Sequence, residues 1–272
     1  MEACYSIAES YTDAPTNAHF QLHNHSDYEI LLFLEGDARY IVEDKVYLLE
    51  PGDLILVRKH ELHRIYHNSP APYRRVVLMI SPSFFRENAC PAYEAQFLEA
   101  PQDMGHKITA DAVRSSGLYD TFLRYKKYSQ CYSRPFGDPV LRSVIVEMAY
   151  ILNQTNSFSG SDVFSEPVRT VILYLNSNYD KDITLDFLQD RFFISKYHLC
   201  REFRKATGLT VHEYIRRKRL TRVQELRSGG MRIGDAALEA GFHDYSAFYR
   251  ASRKESGTQP AEKGVPAVFP DR

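Results

Sequence analysis

The stretch Ile194-Ser195-Lys196-Tyr197-His198-Leu199-Cys200-Arg201-Glu202-Phe203-Arg204-Lys205-Ala206-Thr207-Gly208 decides how this chain is read, because a second stretch echoes it. At an offset of 49 residues, Asp186 matches Asp235, Phe193 matches Phe242 and Arg201 matches Arg250; Arg204, Lys205 and Gly208 match Arg253, Lys254 and Gly257 in the same way. Each copy reads as a short helix, a tight turn, a polar N-cap (Ser195 or Asp244) and a second, more basic helix that ends at the glycine. The cap oxygen accepts a hydrogen bond from a first-turn N–H that has no partner inside the helix, and glycine tolerates the left-handed residue that closes the last turn. Leu199 and Phe248 fall four residues after the caps, where a buried anchor holds the second helix on the first. Tyr197, Cys200 and Arg201 then share a face at i, i+3, i+4 spacing, as do Ser246, Tyr249 and Arg250. A helix fits the major groove, its N-terminal half reaches base edges and basic residues near its ends meet phosphates. The candidate DNA contacts are therefore Lys196, Tyr197, Cys200, Arg201, Arg204 and Lys205 in the first copy, and Tyr245, Ser246, Tyr249 and Arg250 in the second.

The whole chain sets bounds on that reading. Its 272 residues are too many for one ordinary core and fit two domains with a connector. Apolar residues at 44% and charged residues at 25% give the balance of a folded globular protein. No apolar run approaches the roughly 20 residues that span a bilayer, and Met1-Glu2-Ala3-Cys4-Tyr5 lacks the start of an export signal, so a cytoplasmic protein without membrane contact is expected. Cys4, Cys90, Cys131 and Cys200 are scattered, which suits a reducing compartment and offers neither a disulfide framework nor a zinc knuckle. The net charge of -1 hides an asymmetry: from Ser165 onward there are 19 Lys and Arg against 14 Asp and Glu, while the rest of the chain is acidic. A basic half beside an acidic half fits nucleic-acid binding by one domain only.

With these residues in view, the chain resembles the AraC/XylS family of transcription regulators over about residues 167–261. Ile183-Thr184-Leu185, the stretch quoted above, Tyr214-Ile215 and Arg219-Leu220 are similar to the first half of that family's DNA-binding domain. Ile233, Ala237, Gly241-Phe242-His243-Asp244-Tyr245-Ser246-Ala247-Phe248-Tyr249-Arg250 and Gly257-Thr258-Gln259-Pro260 resemble its second half. The resemblance implies two helix-turn-helix units joined by a long helix, here about Val211 to Arg227, entering successive major-groove segments on one face of double-stranded DNA. It also implies an effector-controlled regulator and a homodimer, with RNA polymerase as a further partner. This sequence departs from the pattern at Ser252, where the family has a core phenylalanine, at Gln189 and Ala236, and after Pro260. Those departures point to a weaker second unit, in the extreme a partly decayed one.

Upstream, the period changes from helix to strand. Glu29-Ile30-Leu31-Leu32-Phe33-Leu34, Arg39-Tyr40-Ile41-Val42, Val46-Tyr47-Leu48-Leu49, Leu54-Ile55-Leu56-Val57 and Arg75-Val76-Val77-Leu78-Met79-Ile80 are short strands broken by turns such as Pro51-Gly52-Asp53, which predicts a sandwich or small barrel. A helix carries Leu118, Phe122 and Tyr125. After Pro135 and Pro139 a second one carries Leu141, Val144, Ile145, Met148, Ile151 and Leu152, to cover the barrel or to pair with its twin. The expected architecture is α+β: a cupin-like β-barrel domain over 1–105, a helical connector with a flexible linker over 106–164, an all-α DNA-binding domain over 165–262 and a disordered tail over 263–272.

The barrel carries its own motif. His23-Asn24-His25-Ser26-Asp27-Tyr28-Glu29, with Gly36 after six more residues, matches the first cupin motif, and Pro51-Gly52-Asp53 with His60-Glu61-Leu62-His63 resembles a degenerate second one. In metal-binding cupins such residues hold a divalent ion, and the set here would be His23, His25, Glu29 and His63, suited to iron, manganese, nickel or zinc. Sensor domains of the AraC type use the barrel as a small-molecule pocket instead, so no cofactor is expected. The candidate effector contacts are His23, His25, Glu29, Arg39 and His63, with Tyr28 and Tyr40 beside them, for a sugar or another hydroxylated or acidic compound. The leading expectation is a non-enzymatic regulator; the alternative is a metal-dependent cupin enzyme with a DNA-binding appendage.

Overall fold

A computed structural model describes residues 4–17, 20, 22–98, 105–131, 138–155, 158–159, 162–163 and 166–256. The Gly257-Thr258-Gln259-Pro260 end of the motif, the tail from 263, Pro135 and part of the expected linker lie outside these residues. The chain divides into two compact units, Met1–Asp162 and Val163–Arg272.

In the first unit the strands are β1 (Tyr5–Thr12), β2 (Tyr28–Glu35), β3 (Ala38–Val42), β4 (Lys45–Leu48), β5 (Leu54–Val57), β6 (His63–His67), β7 (Tyr73–Ile80), β8 (Lys107–Ile108) and β9 (Phe158–Ser159). The helices are α1 (Ser83–Glu87), α2 (Ala95–Leu98), α3 (Ala110–Ser115), α4 (Leu118–Cys131) and α5 (Asp138–Gln154). One antiparallel sheet has the order β1-β7-β2-β5-β8-β9, and a second contains β4-β3-β6. The expected α+β architecture holds with one correction: the strands form two sheets and do not close into a barrel. A bridge between His23 and His63 lengthens the second sheet at β6.

The central strand β2 is buried on both sides, which is why its sequence is a continuous apolar run instead of an alternating one. Tyr28, Ile30 and Leu32 join Leu54, Leu56, Leu78 and Ile80 on the face covered by helices. Leu31 and Phe33 turn the other way, with Ile55 and Val57, toward the second sheet. The apolar stripe of α5, from Leu141 to Leu152, is buried in the helix-covered core together with Val113, Leu118 and Phe122. Each such side chain contributes about 1.5–3 kcal/mol on burial, so the stripe is spent within this unit. Phe158, in the stretch read as linker, packs against the same core, and β9 pairs with β8.

The second unit is helical: α6 (Glu166–Asn178), α7 (Leu185–Phe192), α8 (Lys196–Thr207), α9 (Val211–Ser228), α10 (Ile233–Glu239) and α11 (Tyr245–Ser256). Leu188, Leu199, Phe203, Tyr214 and Ile215 are buried in its first half, where the Phe203 and Tyr214 rings meet edge to face at 5.5 Å. Val223, Ala236, Ala237, Ala240, Phe242, Phe248 and Ala251 form the core of its second half. A capping box starts α9: the Thr210 hydroxyl accepts from the Glu213 N–H, and the Glu213 carboxylate accepts from the Thr210 N–H. No helix among the described residues is long and apolar enough to cross a membrane.

Candidate functional site

The two turns of the helical unit place the basic helices. At the start of α8 the Ser195 hydroxyl accepts from the His198 N–H at 3.4 Å, and Gln189 accepts from the Lys196 N–H at 3.3 Å. The unusual glutamine thus satisfies a helix-end donor that would otherwise lack a partner. Gly208 closes α8 at φ 79°. At α11 the Asp244 carboxylate accepts from the Ala247 N–H at 2.6 Å. Gly241, at φ 93°, has no room for a side chain, because a Cβ there would lie 2.4 Å from the Asp180 carbonyl oxygen.

With Leu199 and Phe248 buried as anchors, the candidate DNA contacts face outward on both helices. Tyr197 is 78% exposed; Arg201, Arg204, Lys205, Tyr245, Ser246 and Arg250 are exposed, and Lys196, Cys200 and Tyr249 are half-buried. The Arg201 guanidinium is steadied by Glu202 at 3.0 Å and by His198 at 3.2 Å. Lys196 is paired with Asp186. Arg219 does something else: it donates to the Tyr179 carbonyl at 2.6 Å and the Lys181 carbonyl at 2.9 Å, tying α9 to the end of α6.

In the first unit, His23, His25, Glu29 and His63 come together between the sheets, each offering a ligand atom within 4.8 Å of the others. The Nδ1 atoms of His25 and His63 lie 2.8 Å from the carbonyl oxygens of Asp27 and Glu61. A carbonyl only accepts, so these bonds put the proton on Nδ1, and in a neutral ring Nε2 then presents its lone pair. Both Nε2 atoms face Glu29 Oε2, at 3.1 Å from His25 and 3.5 Å from His63. The Tyr40 hydroxyl donates to the other carboxylate oxygen at 2.7 Å. Burial alone would raise the Glu29 carboxyl, but hydrogen bonds from His25 and His63 outweigh it and hold the group well below the usual carboxylate range. Burial likewise opposes the charged form of His63, and its bond to Glu29 wins, pushing that imidazole up. His63 Nε2 is buried without a well-formed hydrogen bond. Once Nε2 is deprotonated, the His25 and His63 lone pairs beside the Glu29 carboxylate, with carbonyls fixing the rings from behind, fit a divalent metal ion.

Known proteins agree with both halves of this picture. A model described as an AraC-like ligand binding domain matches residues 7–103, and one described as a helix-turn-helix domain matches residues 188–263. The chain belongs to the AraC family. It is a DNA-binding transcription regulator with a ligand-binding N-terminal domain. The HTH-type transcriptional regulator YbfI of Bacillus subtilis is 26% identical over 232 residues, spanning 84% of this chain and 80% of that protein. The HTH-type transcriptional activator RhaR of Escherichia coli is 21% identical over 250 residues, spanning 89% and 86%. The solved structure of ToxT from Vibrio cholerae covers 95% of this chain and 97% of its own, at 14% identity and a TM-score of 0.39, a likeness too loose to transfer any detail.

Not every residue read from the sequence of this AraC-family chain reaches the space between the sheets. Arg39 alternates with Tyr40 on β3, so it faces the other way, stacked 4.2 Å over the Tyr66 ring. Tyr28 points into the helix-covered core and donates to Glu94 at 2.7 Å. Three residues that the sequence reading passed over do face inward: His67 from β6, with Tyr73 and Arg75 from β7. Neither ring nitrogen of His67 has a hydrogen-bond partner, and the Tyr73 hydroxyl and Arg75 Nε make no well-formed hydrogen bond, the hydroxyl interacting only with the Arg75 side chain. Burial, then the nearby Arg75 and Arg64 charges, push the His67 imidazole down to about 4, so it is neutral at physiological pH. The available signal was the two-residue alternation of His63, Ile65 and His67 and of Tyr73 and Arg75, hidden because His63-Arg64-Ile65-Tyr66-His67 does not look like a strand.

Proposed function

We propose that this regulator acts in the cytoplasm as a homodimer, without enzymatic activity, by placing α8 and α11 in successive major-groove segments of its operator, and that RNA polymerase is a partner of the bound dimer. The observation that carries the reading is the duplication itself. Two capped basic helices each hold an arginine one turn from an exposed aromatic or hydroxyl side chain, with an apolar anchor on the opposite face. Arg201 is assigned to base edges; Arg250, Arg204, Lys205 and Lys196 are assigned to phosphates.

The effector is assigned to the space between the two sheets of the first unit, with His23, His25, Glu29 and His63 at one end of it. If these four hold a divalent ion, it would supply a Lewis-acid anchor for an oxygen of the effector. The chain's own groups orient the site: the Asp27 and Glu61 carbonyls fix the rings, and Tyr40 fixes the carboxylate. Selection of bound sequences from random double-stranded DNA tests the reading. A bipartite site is expected, and recovery of no sequence above background would refute sequence-specific binding.

A further inference from the structure

We propose that the cluster Arg75, Tyr73 and His67 receives the carboxylate of the effector, so that the natural ligand is an organic acid and not a neutral sugar. The proposal rests on the assignment of the effector to the space between the sheets and adds a ligand class to it.

The cluster is compact. His67 and Tyr73 lie ring to ring at 4.7 Å, and Phe20 contacts both, at 4.8 Å from His67 and 5.7 Å from Tyr73. The Arg75 guanidinium sits 5.1 Å over the Tyr73 ring and 5.4 Å over Phe20. His67 and Tyr73 are only 5% and 1% exposed, yet four of their and Arg75's polar atoms make no well-formed hydrogen bond. Buried polar atoms are almost always paired, and leaving one unpaired costs about 1–3 kcal/mol, so four in one place mark a missing partner.

The chemistry of that partner follows from what the cluster offers. Arg75 has only donors, the Tyr73 hydroxyl is free to donate, and a neutral His67 adds one N–H beside one lone pair, so donors outnumber acceptors in the cluster. The one carboxylate nearby, Glu29, is already engaged by Tyr40, His25 and His63. Among the described residues no acid lies within ion-pair distance of Arg75. A sugar hydroxyl needs acceptors as well as donors, whereas a carboxylate only accepts, and its two oxygens match the guanidinium fork. One guanidinium balances one negative charge, which favours a monocarboxylate. The three rings beside it favour an apolar or aromatic body.

Thermal unfolding and calorimetric titration of the full-length protein with sodium phenylacetate, phenylacetamide or D-glucose test this. Phenylacetate should raise the melting temperature and bind saturably; the isosteric amide and glucose should do neither. Tyr73→Phe should weaken phenylacetate about tenfold while the melting temperature of the unliganded protein stays the same, because the lost hydroxyl makes no well-formed hydrogen bond and meets only the Arg75 side chain. Arg75→Gln should abolish the response. A response to phenylacetamide equal to that of phenylacetate, a response to glucose, no response at all, or a Tyr73→Phe protein that is less stable but binds unchanged would each overturn the proposal. None of these measurements uses DNA, so their failure would leave the DNA-binding reading intact, and a failed DNA selection would leave the ligand result standing.

Discussion

The two helix-turn-helix halves share a pattern but are held together differently. The first is built around large side chains, with Phe203 and Leu199 buried against Tyr214. The second is lined by alanines, namely Ala236, Ala237, Ala240 and Ala251, around the Phe242–Phe248 pair. Leu188 of the first half becomes Ala237 in the second, and Phe203 becomes Ser252. The turns differ as well. In the second half Gly241 takes the left-handed residue and Phe242 goes inward. In the first, Phe193 itself is left-handed at φ 53° and is 97% exposed. A repeated sequence therefore does not guarantee a repeated environment: close backbone approach substitutes for side-chain bulk in the second half.

That contrast fixes where each half is vulnerable. Phe203→Ala should be the most damaging change, costing about 3–5 kcal/mol through the cavity it leaves, read as a lowered midpoint of the helical signal in denaturant. Ser252→Ala, at a half-buried position of the matching helix, should stay within about 0.5 kcal/mol. Similar losses from the two would erase the distinction between the cores.

For the second half the sensitive position is the glycine. Gly241→Ala adds left-handed strain of about 1–2 kcal/mol and a clash with the Asp180 backbone costing about 1–3 kcal/mol more. Gly230→Ala, at φ 91° with nothing within 4 Å of the added carbon, should show only the strain. Equal destabilisation of the two variants would mean that the Asp180 contact yields easily.

In DNA binding we expect Arg201→Ala to weaken the preferred site by about 1–3 kcal/mol and relax preference at one base position. The Arg250→Ala variant should weaken all sequences alike, since we assign most base specificity to the first half. A substitution scan of the operator reads the two separately, and greater base sensitivity opposite Ser246, Tyr249 and Arg250 would reverse the assignment. The smallest effect is at the caps. Asp244→Ala should cost about 1 kcal/mol, and Ser195→Ala less, because Gln189 also serves the first turn of α8.

Much of this was legible in the sequence. The short apolar runs from Ile30 to Leu34 and in its neighbours, broken by turns, marked the strands, and Ser195, Asp244 and Gly208 marked helix ends through chemistry that acts within a few residues. What stayed hidden depends on distant partners. β1, with Ser6, Glu9 and Ser10 among its residues, is a strand because it pairs with β7 along its whole length. Tyr73 and Arg75 face inward because of that same register, which one strand's composition does not disclose. The convergence of His23, His25 and Glu29 was anticipated because their spacing is short, and that of His63, from the other sheet, only through the resemblance to a second cupin motif, whereas Arg39 was assigned to the wrong face of β3. The match of Phe193 to Phe242 failed in space because the left-handed residue moved by one position.

Helix α9 contacts α8, α10 and α11, with Tyr214 and Ile215 buried near its start and Val223 further along. Its 18 residues rise about 1.5 Å each, so it spans roughly 27 Å, somewhat less than the ~34 Å turn of B-DNA. Because both reading helices are braced on this one rod, the spacer of the operator is set by the protein and not by the promoter. Adding or deleting a single base pair there would turn one half-site by about a tenth of a helical turn relative to the other. Natural targets of this regulator should accordingly vary in base sequence far more than in the distance between their two halves.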